Sequence, residues 1–172
     1  MRHFQNDPWI EISLLLSNNP NAYALDRARR LNVPTRVFSK AQLLNDLDVK
    51  KWLVEANVTH VILAGFLWLI PQNLLLQYPG KIINIHPALL PKFGGKGMYG
   101  SKVHEAVKAS GDTLTGITIH VVNENFDEGK ILFQAACVVH PSDTVDTIAS
   151  KVHMLEHAHY PIVIEDYLLL TA

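Results

Sequence analysis

"KIINIHPALLPKFGGKGMYG", residues 81–100, is the stretch on which the fold turns. Ile82, Ile83 and Ile85 make a short β-branched run that stops at Pro87, the pattern of a buried strand. Asn84 and His86 interrupt that run two residues apart, so on a strand both side chains share one face. Leu89-Leu90-Pro91 follows, then a loop holding Gly94, Gly95, Gly97 and Gly100. A strand that only filled a core would need neither polar groups at its end nor such a loop.

Working outward, similar elements recur. "THVILAGF" (59–66), "WIEISLLLSN" (9–18) and "VPTRVFS" (33–39) read as short apolar strands. Helical spacing appears in "NAYALDRARRLN" (21–32), with Asn21 as N-cap, and in "DVKKWLVEAN" (48–57), with Trp52 and Leu53 facing inward. It appears again in "PQNLLLQY" (71–78), with Pro71 at the first helical position, and in "GSKVHEAVKAS" (100–110). "GITIHVVN" (116–123) and "KILFQAACVVH" (130–140) flank the short loop "ENFDEG" and predict a hairpin. "DTVDTIASKVHMLEHAHY" (143–160) predicts a long amphipathic helix, which Pro161 interrupts or kinks. Short strands alternating with helices predict an α/β fold: a mainly parallel twisted sheet flanked by helices, with a late antiparallel hairpin. Ligands of such sheets collect outside the carboxyl ends of the strands, where Asn84 and His86 fall.

The totals agree with one domain spanning residues 1–172, with 48% hydrophobic and 18% charged residues. A net charge of -1 without blocks of like charge argues against nucleic acid or an anionic membrane as partner. Cys137 is the single cysteine, so no disulfide closes within the chain, and it reads as a small core residue. "MRHFQNDPWIEI" has no secretory pattern and no apolar run is long enough to span a bilayer, so a soluble cytoplasmic protein is expected.

An amide can donate to a developing oxyanion, and an imidazole can move a proton near neutral pH. Asn84 as a turn cap and His86 as a hydrogen-bonded core histidine is the plainer alternative. Asp127 stands just before Gly129 in the hairpin loop. A carboxylate there can fix a histidine tautomer, or it can serve only the turn. "HMLEH" (153–157) puts two histidines four apart on a helix, a spacing that suits zinc. No further ligand is evident, so no metal is expected; His153 and His157 then form a polar helix face. His104 and His120 fit a helix surface and a strand interior, without an assigned role.

"AGFLWLIP", "NIHPALLPKF", "GITIHVVNENFDEG" and "EHAHYP" together resemble the glycinamide ribonucleotide formyltransferase family, folate-dependent enzymes of purine synthesis. The resemblance runs from about Ser17 to about Tyr167 and implies a Rossmann-like formyltransferase fold. It implies transfer of a formyl group from 10-formyltetrahydrofolate to the amine of glycinamide ribonucleotide, without a metal or a covalent enzyme intermediate. Asn84 matches the formyl-binding asparagine, His86 the proton-transfer histidine and Asp127 the aspartate that tunes it. The folate co-substrate is implied to lie against Leu67, Trp68, Leu69 and Ile70, beside Asn84, and against Asn123, Glu124, Asn125, Phe126 and Asp127. Some family members carry a cation where this chain has Trp68. His153, Met154, Leu155 and Glu156 match the segment that binds the ribonucleotide, with Glu156 toward its amine or ribose.

The family also has a first strand and a Gly-x-Gly-x-Asn loop whose N–H groups cradle the phosphate. The first glycine here is Gly65, so the resemblance implies an N-terminally shortened domain with weak hold on the ribonucleotide. A homodimer or strand exchange would fill the gap. Two alternatives accompany formyl transfer: hydrolysis of 10-formyltetrahydrofolate, and a folate-binding remnant without turnover. The related deformylases usually read His-His-Ser where this chain has "NIHPALLP". Transfer to methionyl-tRNA would ask for a further domain and a basic surface.

Overall fold

The computed structural model describes residues 1–44 and 47–171, which divide into two units, Met1–Thr59 and His60–Ala172. The first unit holds a 3-10 turn at Arg2–Phe4, β1 (Leu15–Ser17), α1 (Tyr23–Arg30), β2 (Thr35–Val37), α2 (Lys40–Leu44) and α3 (Asp48–Glu55). β1 and β2 pair in parallel, Leu15 opposite Thr35. Leu25 and Ala28 of α1 are buried, three apart on one face. α1 begins one residue later than Asn21 suggests: Ala22 is the cap residue, and the Asn21 N–H is held by the Asn19 side chain. Trp52 is half-buried rather than in the core, and the Arg36 guanidinium lies 4.9 Å over its ring.

The second unit holds β3 (Val61–Leu63), α4 (Gln72–Gln77), β4 (Ile82–His86), α5 (Ser101–Ser110), β5 (Leu114–Val121), β6 (Ile131–Val138) and α6 (Val145–Thr171). Its sheet runs β3-β4-β5-β6. β3 and β4 are parallel, whereas β4–β5 and β5–β6 are antiparallel, so the parallel character lies in β1–β2 and β3–β4. β3 is shorter and less buried than its apolar sequence suggests, because it has a strand neighbour on one side only among the described residues. Cys137 is likewise half-buried, since β6 is the other edge. Ile148, Val152, Tyr160 and Ile164 form the buried stripe of α6, which lies against β5, β6 and α5. The helix runs unbroken through Pro161, and the Tyr160 hydroxyl donates to the Leu63 carbonyl at 2.7 Å. That bond ties α6 to the carboxyl end of β3, and packing of this kind outweighs the backbone bond that proline removes. No helix among the described residues is long and apolar enough to cross a membrane.

The turn after β4 is fastened by one hydroxyl. Thr118, fully buried on β5, donates to the Ala88 carbonyl at 2.7 Å. It accepts from the Leu90 N–H at 2.9 Å and from the Gln134 amide at 2.8 Å. The Leu90–Pro91 peptide bond is cis. Replacing Thr118 by valine keeps the shape but strands a buried N–H and a buried carbonyl. The urea midpoint is expected to fall by the equivalent of about 1–3 kcal/mol; an unchanged midpoint would show that the hydroxyl does not hold the turn.

Candidate active site

Three side chains singled out in the sequence converge at the carboxyl end of β4. In the antiparallel ladder Asn84 stands opposite His120 and His86 opposite Thr118, so all four side chains share one face of the sheet. His86 is 3% exposed. Its Nε2 lies 2.8 Å from the Phe93 carbonyl oxygen, so that nitrogen carries a hydrogen and donates it. Nδ1 is therefore the nitrogen that gains and loses a proton, and it stands 3.4 Å from Oδ2 of Asp127. Burial pushes the His86 pKa below its ordinary value near 6.5; Asp127 and the Phe93 carbonyl push it up without prevailing, and His120 adds to the lowering. The ring rests neutral at neutral pH, with a carboxylate beside the nitrogen that takes the proton.

Asp127 reaches this place from a strained backbone, φ 58°. Aspartate tolerates that left-handed conformation better than most residues. The Gly95 N–H donates to Oδ2 at 2.9 Å. Gly94 packs so closely that a Cβ there would come within 2.4 Å of Leu90 Cδ2 and 3.3 Å of Asp127 Cβ. The first two glycines of the loop thus close on the carboxylate. Burial raises the Asp127 pKa, but neighbouring His120, His86 and the Gly95 N–H outweigh it, and the net direction is down.

The other residues fall in three places. Leu67 and Leu69 are 49% and 40% exposed, while Ile70 is buried and Trp68 half-buried with its ring 5.9 Å from Phe66. In the hairpin loop, the Asn123 side chain accepts from the Asn125 N–H, and the Asn125 amide donates to Glu128. Glu124 is exposed and Phe126 half-buried. On α6, His153 and Met154 are exposed while Leu155 and Glu156 are half-buried. Burial raises the Glu156 pKa against the pull of His153 and His157. The His153 ring meets His104 of α5 edge-on at 6.4 Å, and the charge of His86 is felt at His104 in turn. Among the described residues, no group of three or more His, Cys, Asp or Glu is placed to hold a metal ion.

Sequence reasoning missed four supports: the Phe93 carbonyl, the Gly95 N–H, Thr118 and His120. "TIH" (118–120) mirrors "NIH" (84–86), a signal that acquires meaning only once the register sets one triplet against the other. His60, His86 and His104 all have pKa values lowered by burial. Each binds a proton more weakly folded than unfolded, so stability is fully present above the ordinary histidine value of 6.5. It is lost as pH falls below that value, and Asp127 acts in the same direction at lower pH. The urea midpoint is expected to be flat above about pH 7 and to drop by about pH 5.5. Equal midpoints at those two pH values would contradict the burial-lowered histidines.

Comparison with known proteins gives the family. Residues 2–164 match the formyl transferase family. A chloroplastic phosphoribosylglycinamide formyltransferase of Arabidopsis thaliana is 43% identical over 159 residues, covering 90% of this chain and 54% of that protein. The phosphoribosylglycinamide formyltransferase of Bacillus subtilis is 37% identical, covering 91% and 80%. The crystal structure of phosphoribosylglycinamide formyltransferase from Anaplasma phagocytophilum superposes with a TM-score of 0.85 at 34% identity, covering 95% of this chain and 76% of that one. The chain spans about half the length of the plant relatives it matches. A family match across most of the chain, with relatives of 37% and 34% identity covered to 80% and 76% of their length, leads to one assignment: the chain belongs to the formyl transferase family, on its phosphoribosylglycinamide formyltransferase branch.

Proposed function

We propose that this chain transfers a formyl group from 10-formyltetrahydrofolate to the amine of glycinamide ribonucleotide, a step of purine synthesis. The observation that carries the reading is the buried His86, backed by Asp127 and sharing its strand face with Asn84. The names of the relatives supply the acceptor. When bound, the folate supplies a formyl carbon on a nitrogen able to leave. The Nδ2–H of Asn84 donates to the formyl oxygen as it gains charge. Nδ1 of His86 takes the proton of the attacking amine, Asp127 neutralises the imidazolium, and the proton is returned to the departing nitrogen.

The exposed Leu67 and Leu69, with Trp68 between them, offer apolar surface suited to a flat pterin, and residues 123–127 offer polar groups for its edge. Ile70 supports that segment from the core. His153, Met154, Leu155 and Glu156 would face the acceptor, and the half-buried Glu156 carboxylate would gain from meeting an ammonium group. The matched residues run through both units, which supports reading 1–172 as one functional domain. Action in the cytoplasm belongs to the same reading, as does a homodimer, for which β3, with a strand neighbour on one side only among the described residues, offers an edge. Size-exclusion chromatography is expected to show a dimer; a well-folded monomer counts against it.

The deciding experiment is a coupled assay with both substrates. Tetrahydrofolate release that depends on glycinamide ribonucleotide is expected. Formate release without the acceptor would instead mean hydrolysis, and folate binding without turnover would mean a binding remnant.

A further inference from the structure

His120 is 2% exposed and stands at an irregularity in β5. Ile119 pairs with Phe133 but His120 with Ile131, so β6 carries one extra residue there. Bulges of this kind re-aim side chains beside active sites. The His120 Nδ1 lies 3.0 Å from the Val121 carbonyl oxygen. A carbonyl only accepts, so Nδ1 carries the hydrogen. In the neutral ring Nε2 is then left as an acceptor; Asp127 Oδ1, 3.6 Å from it, lies beyond hydrogen-bond length. Nε2 faces Nδ2 of Asn84 at 3.2 Å, the one end of that amide able to donate. Turned over, the amide would set the lone pairs of Oδ1 against the lone pair of Nε2.

We propose that His120 is a positioning residue that fixes the rotation of the Asn84 amide, so that its N–H end faces the reacting centre. Nδ2 has two hydrogens: one is held by His120 and the other is kept for the formyl oxygen. A reversed amide would present an acceptor to an oxygen that is becoming negative. Gly129 backs the arrangement, because a Cβ there would lie 1.6 Å from the Val121 carbonyl oxygen that sets the tautomer. The catalytic consequence rests on the formyl-transfer reading; the tautomer and the amide orientation do not.

The test uses the full chain with nitrogen-15 in its histidine and asparagine side chains. At pH 7.5, NMR is expected to show His120 as the Nδ1–H tautomer and the Asn84 amide protons protected from exchange. An Nε2–H tautomer, or unprotected Asn84 amide protons, would overturn the proposal. In His120→Leu the amide loses protection and kcat falls by about 10- to 100-fold with little change in KM. His120→Gln, whose side-chain oxygen can accept, recovers part of both. Asn84→Ala with His120→Leu is expected to be no slower than Asn84→Ala alone, because the two act through one contact. Independent, multiplying losses would overturn the idea. Should the unaltered chain show no formyl transfer, the functional reading falls while the NMR result still decides the role of His120. Should His120→Leu fail to fold, the unaltered chain and His120→Gln still decide it.

Discussion

Formyl transfer by the His86→Ala chain is expected to be slower by about 10²–10⁴-fold, the range for loss of a positioned general base. The expectation rests on the geometry of a single nitrogen. Nε2 is committed to the Phe93 carbonyl, which leaves Nδ1, beside Asp127, as the group that can take a proton. No other side chain among those sharing this face combines a free basic nitrogen with a carboxylate partner, since the His120 Nε2 is engaged by Asn84. Alanine also strands the Phe93 carbonyl and removes one of the two histidines beside Asp127, so some loss of stability is expected. Circular dichroism and a urea midpoint separate that loss from the chemical one. A single-turnover rate with both substrates saturating is the deciding measurement. A fall of less than tenfold in a folded variant would remove His86 from the proton path.

Asn84→Asp is expected to cost about 10²–10³-fold in kcat, the range for removal of one oxyanion donor. The change is nearly isosteric and the site is only half-buried, so the fold should tolerate it. What alters is the sign of the group. A carboxylate replaces the donor where negative charge develops, and it stands opposite His120, whose Nε2 is itself 3.6 Å from Asp127. Because the interaction strengthens only as the oxyanion forms, the loss belongs in kcat more than in KM. An unchanged kcat would mean that another donor meets the formyl oxygen.

The α/β alternation, the hairpin and the placing of Asn84 and His86 on one face were legible from periodicity, because a strand repeats every two residues whatever lies next to it. The extent of β3 was not, since an apolar triplet reads the same at an edge as in a sheet interior. Pro161 misled because a proline's local effect is visible in sequence, whereas the packing of Tyr160 and Ile164 that carries α6 through it is tertiary. The grouping of Asn84, His86 and Asp127 was legible in part: spacing left turn and core readings open for all three residues, and the family resemblance singled them out. Phe93 and Gly95 act through backbone atoms, which no residue type announces. His120 needed the antiparallel register to become a neighbour of Asn84.

Two buried histidines in this site share one carboxylate. One imidazolium beside Asp127 is electrically balanced, whereas a second would leave an uncompensated positive charge among side chains at most 11% exposed. Charge balance beside this one carboxylate therefore favours one added proton over two. One proton is also what the proposed formyl transfer would move, from the attacking amine to the departing nitrogen.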